Sequence, residues 1–152
     1  MPAFKTKEEI YDRCVVDGIL NPQDETDIDK IKSSMRIAEE DLASGKDLLV
    51  KKRWNSAYKL HYDVLHALVE SFLGFDNVKS SNHQCLFACL CVKHTDLEFS
   101  WDFFEKLRTK RNGINYYGTP VDENDWKEIA LQANLYISAL KKEIEKRLRE
   151  EH

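Results

Sequence analysis

The chain has 152 residues, 42% of them hydrophobic and 33% charged, with a formal net charge of -4. This length encloses a core in one domain, 1–152, and the composition is that of a folded protein rather than a disordered tail. The acidic balance argues against a broad nucleic-acid face, and neither a membrane-spanning nor a secretory apolar stretch is present, so the expected location is the cytoplasm, away from membranes.

Three prolines and five glycines leave room for long helices. Thr6 can cap a first short helix, with Glu9 three positions on and Ile10 and Cys14 on its apolar side. Gly18 and Asn21-Pro22 end it, so a short helix within 1–22 precedes a bundle in 24–148. The second helix starts among Asp24, Thr26 and Asp29 and carries the stripe Ile28, Ile31, Met35, Ala38, Leu42, Gly45 and Leu49. Such spacing requires partner helices on one side. Lys51-Lys-Arg53 marks the turn to a third helix with Trp54, Tyr58, His61, Leu65, Leu68 and Phe72 in its seam. His66 falls outside that seam. A histidine on an apolar face is usually a hydrogen-bonded core residue, but His61 reads as the one imidazole placed to reach an interior site from another helix.

Gly74 closes the third helix, 76–82 is a polar link, and an apolar helix runs from about Asn82 to Lys93. The next helix starts near Leu97 and carries Phe103, Phe104, Leu107 and Arg111. The last has Asp122 as its N-cap, a staple between Val121 and Trp126, and a stripe through Ala133, Ile137, Leu140, Ile144 and Leu148. Its charged end, Lys141 to Arg149, is expected to fray. There is no strand pattern and no repeat. The expected fold is all-α: an antiparallel up-and-down helical bundle of four main helices plus short helices.

Four cysteines stand at 14, 85, 89 and 91. On a helix Cys85 and Cys89 share a face while Cys91 points elsewhere, and the spacing fits no standard zinc set. Buried thiols in a reducing compartment are the expectation, with no metal and no cofactor.

One stretch is chemically distinct: Lys106-Leu-Arg-Thr-Lys-Arg-Asn-Gly-Ile-Asn-Tyr-Tyr-Gly118. Lys106, Arg108 and Lys110 are accounted for by the dipole at a helix C-terminus. Arg111 is not, because it continues the apolar stripe of Phe104 and Leu107, and burying a guanidinium without an anion costs several kcal/mol. Arg111, Asn112, Asn115, Tyr116 and Tyr117, with His61, are the candidate ligand-binding residues. On an ideal helix Arg111 and Tyr116 lie about 140° apart, so they meet either through distortion at Gly113 or across a dimer.

The segment Lys46 to Leu73, reading KDLLVKKRWNSAYKLHYDVLHALVESFL, and the helix ending in Arg111-Asn112 before a long final helix resemble the HEPN domain superfamily, over about Asp24 to Leu148. The resemblance implies a helical homodimer whose motif helices face each other across a cleft. It also implies metal-independent ribonuclease activity with an Arg, four to six residues, then His, and in prokaryotic members a nucleotidyltransferase partner in a toxin-antitoxin pair. Arg111 and Asn112 match that motif. Tyr116 stands where histidine would, and a phenol with pKa near 10 is a poor base at neutral pH. Three readings follow: a module binding RNA or a nucleotide phosphate around Arg111; an interaction protein with Arg111 in a buried polar network; or a ribonuclease with Arg111 and Tyr116, or His61, as catalytic residues.

Overall fold

The most apolar long segment, Trp54–Gly74, forms helix α3 at the centre of the computed structural model, which describes residues 5–150. Helix α2 (Ile28–Val50) folds back along it through Lys51-Lys52-Arg53, where Lys52 takes a left-handed φ of 58°. Asp27 caps α2 by accepting from the Lys30 N–H at 3.1 Å. The seam Ile31, Met35, Ala38 and Gly45 is buried against α3, with Leu42 and Leu49 packed at its edge. Gly45 is needed for close approach: a Cβ there would stand 2.8 Å from Cε1 of His61. The fold is all-helical, as the spacing of apolar residues predicts.

Helix α4 (His83–Lys93) is capped by Asn82, whose side chain accepts from the Cys85 N–H at 2.9 Å. Its residues 85–91 are all buried, which is why no single apolar stripe marks it in the sequence. Helix α1 (Lys7–Val16), capped by Thr6 at the Glu9 N–H, packs on α4. There Cys14 and Cys85 are joined by a disulfide, while Cys89 and Cys91 are buried thiols. The expectation of four reduced cysteines is therefore corrected at two positions, and the cysteines no longer argue for a reducing compartment. Among the described residues no helix is long and apolar enough to cross a membrane.

Two further differences from the sequence expectation have local causes. Asn21–Pro22 (β1) and Val78–Lys79 (β2) form a two-residue antiparallel bridge, with Asn21 opposite Lys79. The bridge is too short to leave a periodic pattern, and it is fastened by the Gln23 N–H donating to the Asn77 carbonyl at 2.7 Å. Helix α5 spans Trp101–Tyr116 rather than starting at Leu97. Thr95–Leu97 is a 3₁₀ turn, Glu98 is left-handed with φ 56°, and Ser100 provides the cap at the Phe103 N–H.

Helix α6 (Glu123–Glu150) starts as expected, with Asp122 and Asp125 exchanging side chain-to-backbone hydrogen bonds of 2.9 Å. Its charged end does not fray. Ile144 is fully buried, Leu148 packs on the core, and the Arg147 guanidinium lies 5.3 Å from the centre of the Phe72 ring. Apolar residues one turn apart hold that end down, and the charges between them face water.

Candidate functional site

Phe104 and Leu107 fix the roll of α5, since both are buried to 1% exposure or less. Arg111, one turn beyond Leu107, is thereby carried toward Tyr62 of α3 and the start of α4. Its guanidinium is half-buried, 5.0 Å from the centre of the Tyr62 ring. One terminal nitrogen donates to Oδ1 of Asn112 at 3.3 Å, and Nε is buried with no hydrogen-bond partner.

The other cations of α5 are satisfied by protein carboxylates. Lys106 pairs with Glu128 at 2.9 Å and Lys110 with Asp125 at 3.1 Å, both on α6. Arg108 donates two bonds of 3.0 Å to Glu105, which also accepts from Gln84 at 3.0 Å. These pairs replace the dipole explanation: the last turn of α5 contains no basic residue. Among the described residues no carboxylate lies within ion-pair distance of Arg111. Asp63 on α3 is the acid whose charge is felt together with that of Arg111, while burial pushes its own carboxyl up.

Arg111 opens into a surface pocket of about 360 Å³. From α4 it is lined by Asn82, His83 and Gln84, and from α5 by Arg108, Arg111, Asn112 and Tyr116. Asn82 satisfies only the Cys85 N–H, so the His83 and Gln84 N–H groups have no partners inside the helix and point its positive end at the pocket. Arginine, free amides and a helix N-terminus are complementary to one oxyanion. A larger hollow beside the β-bridge, about 470 Å³, is lined by Tyr11, Val15, Leu20, Pro22 and Val78 among others. Lys93, one of its lining residues, lies over the Tyr11 ring, and His94 is held by Asp76.

Two histidines that the helix-seam reading did not single out stand at the site. His66 is stacked on His83 with ring centres 3.7 Å apart and planes 23° from parallel. The Tyr62 hydroxyl lies 3.0 Å from His83 Nδ1. Burial raises the Tyr62 pKa well above its usual 10, so the phenol is neutral and can donate to Nδ1, the arrangement in which the His83 proton is on Nε2. Burial, then Arg111, pushes His66 down to about 4. Burial, then His66 and Arg111, does the same to His83. His66 Nε2 is buried without a partner.

The structure brings together Arg111, Asn112 and Tyr116 in one chain. Helix α5 is regular through Tyr116, so neither distortion at Gly113 nor a second chain is needed for both to line the pocket. Tyr116 is at the rim, 67% exposed. Asn115 and Tyr117 are exposed and outside the lining. His61 is not near it. Nδ1 of His61 donates to the Ala57 carbonyl at 2.8 Å, and the ring packs on Gly45 and Trp126 in the α2–α3–α6 seam. Burial lowers its pKa, as for a neutral core histidine.

Of the two, His66 had a readable signal. Tyr62, Val69 and Leu73 make a second apolar line on α3, away from the seam with Tyr58 and Leu65, and His66 lies on it at the fourth residue after Tyr62. Among the described residues no three His, Cys, Asp or Glu side chains converge as a metal ion requires. Comparison with protein-family models, with curated proteins and with solved structures yields no match to the chain.

Proposed function

We propose that the chain is an HEPN-like helical module that binds the phosphate of an RNA or nucleotide between the start of α4 and the end of α5. The observation that carries this reading is Arg111: a half-buried guanidinium whose buried Nε has no partner and which, among the described residues, is in ion-pair contact with no carboxylate, Asp63 acting on it only from farther away. A structural ion pair would supply the acid from the protein, as Glu105 does for Arg108. At Arg111 no such pair forms among the described residues, and the guanidinium is open to an anion from a ligand. Asn112 and Gln84 add polar groups, and the exposed Tyr116 ring offers a face on which a base can stack. The small pocket and the acidic chain favour a single phosphate or a short single strand over a long duplex.

Thermal unfolding of wild type and Arg111→Ala with adenosine monophosphate and a short RNA tests this. A ligand at about 100 times its Kd stabilises the wild type by about 2.7 kcal/mol and raises its Tm. In Arg111→Ala that rise is absent, while the ligand-free variant loses the 3.3 Å bond to Asn112 and the cation–π contact with Tyr62, the latter about 0.5–2 kcal/mol. Equal Tm shifts in both proteins, or none in either, would contradict the proposal.

A further inference from the structure

We infer that binding at this pocket is coupled to a proton: an oxyanion engaged by Arg111 also accepts from His83, and the His66–His83 stack takes up one proton as the anion arrives. The inference rests on the phosphate-site reading and adds a second ligand-contacting residue and a regulation to it.

The geometry ties the two groups together through Tyr62. Its ring lies under the Arg111 guanidinium and its hydroxyl meets His83 Nδ1, and Arg111 and His83 both line the pocket. With Nδ1 facing the phenol, Nε2–H is the imidazole donor left for a ligand. The added proton goes from solvent to Nδ1 of His83, and the Tyr62 hydroxyl turns from donor to acceptor. Nε2–H donates to the anion in both forms. His66, face to face with His83 and with Nε2 unpartnered, shares the titration, so the pair takes one proton rather than two.

Without a ligand the surroundings oppose that proton. Helix α3 presents Tyr62, Asp63, His66 and Glu70, α4 presents His83, and α5 presents Glu105, Arg108 and Arg111. Glu70 favours an imidazolium at His83, and Arg108 opposes it. Burial, Arg111 and the partner ring outweigh Glu70, and both histidines sit near 4. A dianion beside Arg111 reverses the sign of the nearest uncompensated charge, which raises the pair's pKa in the bound state. Between pH 8 and 5 the free pair is neutral and the bound pair charges, so affinity rises toward acid.

Sulfate is the probe, because its own charge is constant over this range. Calorimetric titration of wild type is expected to tighten as the pH falls from 8 to 5, by up to about tenfold per pH unit below the bound pair's pKa. At pH 6, buffers of different ionisation enthalpy should report net proton uptake by the wild type. His83→Gln is expected to bind sulfate at pH 8 and to lose the pH dependence. Binding that needs Arg111 but is equally tight at pH 8 and 5 overturns the coupling and leaves the phosphate site standing. No sulfate binding at any pH overturns both. An unchanged pH slope in His83→Gln overturns the assignment to this pair.

Discussion

Removing the Cys14–Cys85 bond, by reductant or as Cys14→Ala, is expected to lower the unfolding free energy by about 4 kcal/mol. The cysteines are 71 residues apart, and closing a loop of that length costs the unfolded chain that much entropy in the simple chain model. The bond matters locally as well. Helix α1 has only ten residues, too few to hold a helix alone, and two buried side chains, Ile10 and Cys14. A second tie is the Trp101 indole N–H donating to the Lys5 carbonyl at 2.7 Å. Urea unfolding with and without a phosphine reductant reads the effect as a fall in midpoint. Burial pushes the Cys89 thiol up to about 11 and Cys91 to about 12, so neither is a reactive competitor in the folded protein. Superimposable curves would mean that α1 is held without the bond.

Phe104→Ala is expected to cost about 3–5 kcal/mol, the range for truncating a buried aromatic ring. Phe104 is fully buried and stacked on Phe87 of α4, with ring centres 4.6 Å apart and planes within 11°. Phe99, Phe103 and Tyr136 surround it, so collapse cannot readily fill the void. The ring joins α5 to α4 and α6, two turns before Arg111 on the same face, and so fixes the distance between the two walls of the pocket. Chemical denaturation should show the loss, and a change below about 1 kcal/mol would contradict this packing.

The helices were legible because their cores are periodic. The α2 seam from Ile31 to Gly45 and the α6 stripe through Ile137 and Ile144 appear in the structure as read. What escaped reading lies where burial is not one-sided. Helix α4 is buried nearly all round, so the face shared by Cys85 and Cys89 named no partner and the pairing of Cys14 with Cys85 left no local trace. Arg111 stood out because a charge interrupted an apolar stripe. His83 did not, since it begins a helix and reaches the site only through tertiary packing against Tyr62 and His66. His61 was conspicuous for being in a seam, and the seam is what takes it away from Arg111, into the gap left by Gly45. The cations of α5 likewise follow from their partners on α6 and at Glu105, which helix position alone does not reveal.

The most direct measurement follows the Arg111 Nε–H resonance by ¹⁵N-resolved NMR during titration with inorganic phosphate at constant pH, with Arg111→Lys to assign the signal. Nε is buried and has no partner in the protein, so a bound phosphate should shift this resonance saturably while that of Arg108, bonded to Glu105, changes less. An Arg111 signal that does not respond at millimolar phosphate would contradict an anion site at this residue.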